Sequence, residues 1–123
     1  MKAIRLIALA ACMAATLDAS AQEQEIRLFS HRGGRMEHDE NTLSAFQASY
    51  DAGYRGFETD IRMTRDGALV ITHDSSLERT TDGTGTVEEK TEAEIRQLAT
   101  KQGNKMMFLD ELLEFLKGKE GLY

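Results

Sequence analysis

The apolar residues of this chain change period as the chain advances, and that change constrains the fold more than any other feature. Ile26-Arg27-Leu28-Phe29-Ser30 is a short strand-like run that ends at His31-Arg32-Gly33-Gly34. Asn41 or Thr42 then offers a helix cap, Leu43, Ala45, Phe46 and Ala48 recur at helical spacing, and Gly53 supplies a stop. Gly56 to Ile61 has the pattern of a second strand. Arg65-Asp66-Gly67 predicts a tight turn, and Leu69-Val70-Ile71-Thr72 predicts the strand after it, ending at His73. A polar loop with Gly83 and Gly85 fills 74–90. Thr91 and Glu94 form a capping-box pattern for a helix whose buried face is Ile95 and Leu98. Leu109, Leu112, Leu113 and Leu116 make one stripe on a last helix, which Lys117-Gly118-Lys119 ends. Gly121-Leu122-Tyr123 opens like a further strand. Alternation of this kind predicts parallel α/β architecture, in which functional groups gather at the C-terminal ends of strands.

The first residues stand outside that pattern. Lys2 and Arg5 precede an apolar run, Leu6 to Leu17, that is too short for a hydrocarbon core of roughly 30 Å. Ala19-Ser20-Ala21 has the small-x-small form of a signal-peptidase site. Residues 1–21 are therefore expected to be a signal peptide, and 22–123 an exported chain, periplasmic or secreted, with no transmembrane span. A rival cut at Leu9-Ala10-Ala11-Cys12 would leave a lipoprotein anchored through Cys12, at the expense of an apolar run shortened to Leu6–Ala11.

Cys12 is the only cysteine, so the mature part has neither a disulfide nor a thiolate nucleophile or ligand. That part carries 13 basic and 20 acidic residues, a net charge of −7, which argues against the nucleic-acid backbone as a partner. About one hundred residues suffice for one small domain with a core. A closed (β/α)8 barrel needs roughly 200–250.

Residues able to do chemistry cluster at the expected strand ends. Glu58 and Asp60 stand two apart, so on one strand their carboxylates share a face. Adjacent carboxylates repel unless a cation neutralises them, and Ca²⁺ or Mg²⁺ takes such hard oxygen ligands. Read alone, the pair is equally an exposed strand face, and two carboxylates do not complete a metal site. His31 and His73 titrate nearest neutral pH and are the candidate general acid and base. His38 has no comparable context and is taken as a loop residue. Arg32 offers a planar fork for a phosphate oxygen pair, or is a surface arginine in a turn. Gly33 and Gly34 would let the backbone approach a ligand closely. Glu40 could orient a histidine or favour a helix N-terminus. Arg79 pairs with an acidic neighbour or anchors its loop.

In order and spacing, the stretch from Phe29 to about Gly85 resembles the glycerophosphodiester phosphodiesterase family. The shared words are His31-Arg32-Gly33, Glu40-Asn41-Thr42 with Ala45-Phe46, Gly53 and Gly56, Glu58-x-Asp60, Thr64-x-Asp66-Gly67, His73-Asp74, and Leu77-x-Arg79-Thr80-Thr81 with Gly83 and Gly85. Thr91 to Leu116 is similar to the family's next helices, less specifically. The resemblance implies a partial TIM (β/α)8 barrel, with the N-terminal strands and helices only. It implies metal-dependent hydrolysis of small-molecule glycerophosphodiesters to glycerol 3-phosphate and an alcohol, in lipid and glycerol metabolism. His31 and His73 would share the acid and base roles, Glu58 and Asp60 would hold Ca²⁺ or Mg²⁺, and Arg32 would bind phosphate.

Two departures accompany it. Asp39 stands where the family usually has proline before Glu-Asn-Thr, and the chain has no proline. The family's third metal carboxylate, with a lysine near it, falls beyond Tyr123, so the chain is expected to be truncated, with poor metal affinity, little activity alone and an aggregation-prone open edge. A non-catalytic half-barrel that binds phosphate through Arg32, as a dimer or a relic, is the alternative. A lysophospholipid or polyglycerophosphate substrate is a third possibility.

Overall fold

The computed structural model describes residues 26–119. The expected signal peptide and the strand expected at 121–123 lie outside the described residues. Strand β1 covers Phe29–His31 and pairs in parallel with β2, Gly56–Glu58; helix α1, Leu43–Asp51, connects them. Strands β3, Ile61–Met63, and β4, Leu69–Ile71, form an antiparallel hairpin, followed by a 3-10 turn at Val87–Glu89, the four-residue α2 at Glu92–Ile95, and α3 at Leu109–Leu116. The strands form two two-stranded sheets, β1–β2 and β3–β4, with no closed barrel among the described residues.

Local chemistry explains most of these boundaries. The Thr42 hydroxyl accepts the Ala45 amide at 3.2 Å and caps α1. Gly53, at φ +95°, follows the helix in the left-handed region that glycine enters freely. Gly67, at φ +92°, turns the hairpin, and the Thr64 amide bonds the Ala68 carbonyl at 2.8 Å. At α2 both halves of the capping box form: Thr91 accepts from the Glu94 amide, and Glu94 accepts from the Thr91 amide.

Two apolar clusters flank β4. Val70 joins Leu77, Val87, Ile95, Met106 and Phe108, whereas Ile71 joins Phe46, Met107, Leu112 and Phe115. Successive strand residues point to opposite faces, so one three-residue strand feeds both clusters. The 74–90 loop, polar in composition, is pinned by fully buried Leu77 and Val87.

Two sequence expectations need correction. Gly56 to Ile61 is not one strand: β2 ends at Glu58, and after Thr59-Asp60 the chain changes its pairing partner from β1 to β4. Glu58 and Asp60 therefore do not share a strand face by alternation. On α3 the buried residues are Leu112 and Phe115, with Leu109 and Leu116 partly covered and Leu113 58 % exposed. At about 100° per residue the arc through Leu109, Leu112, Phe115 and Leu116 leaves Leu113 outside it. Gly33 packs against α1: a Cβ there would lie 2.8 Å from the Ala45 Cβ. A Cβ on Gly34 would meet His38 at 3.3 Å, and its φ of +91° favours glycine.

Candidate functional site

The parallel register of β1 and β2 sets His31 directly against Glu58. Their side chains meet at 3.6 Å, Nε2 to Oε2, and the Arg32 amide bonds the Glu58 carbonyl at 2.9 Å. Glu58 Oε2 is buried and has no hydrogen-bond partner. Such an atom ordinarily finds one.

Arg32 is buried, at 7 % exposure, with its backbone in the left-handed region at φ +53°. Its Nη1 lies 3.2 Å from Glu40 Oε1. Its Nε lies 3.1 Å from Asp60 Oδ2, the separation of an ion pair, but the angle is not that of a hydrogen bond. Asn41 is the second non-glycine residue with positive φ, at +59°. It donates to Asp60 Oδ2 at 3.4 Å and accepts from the Thr59 hydroxyl at 2.9 Å. Two strained residues flanking one carboxylate cost of order 1–3 kcal/mol each, which the surrounding contacts must offset.

Across the site, His73 Nδ1 meets Asp74 Oδ1 at 2.5 Å. Asp74 also accepts from Arg79 Nε. Arg79 extends both Nη atoms to Glu40, at 2.7 Å to Oε1 and 3.1 Å to Oε2. Hydrogen bonds from Arg79, and then from His73, hold the Asp74 carboxyl well below the usual carboxylate range. The Arg79 hydrogen bonds, aided by the charge of Arg32, lower Glu40 as well. Arg79 is raised in turn, first by Glu40 and then by Asp74. An ionised Asp74 can only accept, so it holds the His73 proton on Nδ1 and leaves Nε2 available.

The five residues expected to carry chemistry thus fall into two pairings, His31 with Glu58 and Arg32 with Asp60, while His73 stands at the end of a chain through Asp74, Arg79 and Glu40 to Arg32. Sequence reasoning gave Glu40 little weight and assigned Asp74 no role. The adjacency of His73 and Asp74 was a usable signal for the second. Nothing local marks Glu40, whose partner Arg79 lies 39 residues away. Asp39 Oδ2 accepts from the Thr100 hydroxyl and from Asn104 Nδ2 at 2.8 Å, so hydrogen bonds tie down the segment where the family usually has proline.

The donor set agrees in kind with a hard divalent cation. Glu58 offers a buried oxygen with no hydrogen bond, and four carboxylates face two guanidiniums, an excess of two negative charges before the histidines are counted. It is incomplete in number: among the described residues no group of three or more His, Cys, Asp or Glu is placed to hold a metal ion. Among those residues, too, no helix is long and apolar enough to cross a membrane.

Residues 31–120 match the model of the glycerophosphoryl diester phosphodiesterase family. A glycerophosphodiester phosphodiesterase of Caldanaerobacter subterraneus is 41 % identical over 71 residues, which are 58 % of this chain and 29 % of that protein. A crystal structure of glycerophosphodiester phosphodiesterase from Agrobacterium tumefaciens superposes with a TM-score of 0.74 and 35 % identity, covering 80 % of this chain and 46 % of that one. A phosphodiesterase of Oleispira antarctica, solved in complex with the product sn-glycerol-3-phosphate, superposes with a TM-score of 0.70 and 32 % identity over 74 % of this chain and 40 % of that one. The chain therefore spans less than half the length of these relatives.

Proposed function

This chain belongs to the glycerophosphoryl diester phosphodiesterase family, and from that membership we propose that residues 22–123 carry the N-terminal part of a hydrolase site that cleaves glycerophosphodiesters to sn-glycerol 3-phosphate and an alcohol. The observation that carries the proposal is the pairing of two differently held histidines around one buried arginine. Arg32 holds the phosphate: its guanidinium has left bulk water and is steadied by Glu40 and Asp60. His73, with its proton kept on Nδ1 by Asp74, offers Nε2 for proton transfer. His31, at the C-terminal end of β1 and set against Glu58, is the second proton carrier. Which of the two takes the proton and which returns it to the leaving alkoxide follows from the substrate's orientation.

Glu58 and Asp60 would hold the divalent cation, Ca²⁺ or Mg²⁺. When bound, such an ion supplies Lewis-acid polarisation of a phosphoryl oxygen and offsets charge on the phosphate. Glycerophosphodiester substrates, a role in lipid metabolism and export by the 1–21 signal belong to the same proposal. The sn-glycerol-3-phosphate product bound in the Oleispira antarctica relative supports the choice of substrate class.

Incubation with glycerophosphocholine and Ca²⁺ or Mg²⁺ tests it, with enzymatic detection of glycerol 3-phosphate. Release that disappears in His31→Ala and in His73→Ala supports the proposal. One observation favours a second reading: the described residues hold only part of a metal ligand set. On that reading the chain binds glycerol 3-phosphate through Arg32 without turnover. Saturable glycerol 3-phosphate binding that needs Arg32, with no release of product from the diester, would establish it instead.

A further inference from the structure

We propose that Glu40 is a positioning residue that ties the phosphate-binding Arg32 to the proton-transferring His73. The proposal rests on the hydrolase reading of those two residues. Five contacts carry it. Glu40 Oε1 is shared by Arg32 Nη1 at 3.2 Å and Arg79 Nη2 at 2.7 Å. Glu40 Oε2 takes Arg79 Nη1 at 3.1 Å. Arg79 then spends its Nε on Asp74, and Asp74 binds His73 Nδ1 at 2.5 Å.

The geometry is that of a bracket. An arginine fork bound bidentately has a fixed plane, so Glu40 fixes the direction in which Arg79 Nε points, and through it the Asp74 carboxylate. Glu40 is well suited to this work. Its side chain is 13 % exposed, whereas the Arg79 side chain is 46 % exposed and would otherwise be free to move in solvent. Asn41, next in the chain, is held in its left-handed conformation with its amide on the Arg32 carbonyl at 2.9 Å, and Asp39, on the other side, is tied to Thr100 and Asn104. The carboxylate is therefore anchored from both neighbours before it meets either arginine. Glu40 is assigned no metal: both of its oxygens are occupied by guanidinium groups.

The consequence is that Arg32 and His73 respond to one carboxylate. Removing its second oxygen as an acceptor releases one branch of Arg79 and loosens Asp74, and His73 loses its fixed tautomer although nothing in its own contacts has been mutated.

The test is long-range ¹H–¹⁵N NMR of the histidine-labelled full chain at neutral pH. It reports which ring nitrogen carries the proton and needs no turnover. Wild type is expected to show His73 as a single Nδ1–H tautomer. Glu40→Gln is expected to lose that pattern for a mixture of tautomers, with the backbone amide spectrum preserved. Arg79→Gln, which alters an exposed side chain and keeps the fold testable if Glu40→Gln does not, should give the same loss. The double variant should be no worse than either single, because both act on one chain of contacts. Asp51→Asn, on the exposed end of α1, should leave His73 unchanged. A His73 signal identical to wild type in a folded Glu40→Gln or Arg79→Gln protein overturns the proposal. The readout is separate from the hydrolase reading. Loss of the tautomer pattern in a protein that never releases glycerol 3-phosphate sustains the role of Glu40 toward His73 while the hydrolase reading fails; release with an unmoved His73 signal does the reverse.

Discussion

The two histidine corners of the site are built differently. At His73 the ring, Asp74, Arg79 and Glu40 form a continuous run of hydrogen bonds. At His31 the ring meets Glu58 only at 3.6 Å, Glu58 keeps a buried oxygen without a partner, and Arg32 Nε nearby also lacks a hydrogen bond. A run of satisfied contacts rigidifies, and an unsatisfied buried atom is costly. The His73 corner is thus pre-organised by protein contacts alone, whereas the His31 corner leaves two buried polar atoms without hydrogen bonds. On the proposed function, that difference gives orientation to one end and ligand capture to the other.

The largest effect expected is on chemistry. If both histidines transfer protons, His31→Ala and His73→Ala each lower glycerol 3-phosphate release by about 10²–10⁴-fold. Equal release from either variant would break the assignment at that corner. Next in size is a packing effect beside the His31 corner. Gly33→Ala places a Cβ 2.8 Å from Ala45 at φ +77°, and should destabilise the fold by about 1–3 kcal/mol in urea unfolding. Thr42→Ala, which removes the α1 cap behind both corners, should cost about 1 kcal/mol in the same experiment.

The smallest effect separates the corners by pH. Asp74 and Glu40 are held below their ordinary values by Arg79, so the folded state binds fewer protons than the unfolded chain. Their contribution is complete above the ordinary carboxylate range of about 4, and is lost as pH falls below it. The melting temperature of Arg79→Gln should therefore decline less steeply than that of wild type on acidification below about pH 4. Parallel declines would show that the His73 corner adds nothing to stability through charge.

What the sequence made legible were the features written in neighbouring residues. The Thr42 cap, the Asp66-Gly67 turn and the Thr91–Glu94 capping box all depend on contacts within a few residues. What escaped depends on partners far along the chain. Nothing in Gly56–Ile61 shows that Glu58 pairs beside β1 while Ile61 pairs with β4. Nothing near Gly33 in the chain shows that Ala45 packs on it. Glu40 looks like a helix-terminal acid until Arg79, folded back by the 74–90 loop, reaches it. On α3 the leucine pattern does not show that Phe115 is buried where Leu113 is not.

Calcium binding measured by titration calorimetry on wild type, Glu58→Gln and Glu40→Gln tests the central claim most directly. The account predicts that Glu58→Gln weakens binding by at least about tenfold, as the loss of a ligating carboxylate demands, and that Glu40→Gln binds calcium like wild type, because its oxygens already serve the arginines. Wild-type affinity in Glu58→Gln, or an equal loss in Glu40→Gln, would contradict the division of the site into a ligand-capturing corner and an orienting one.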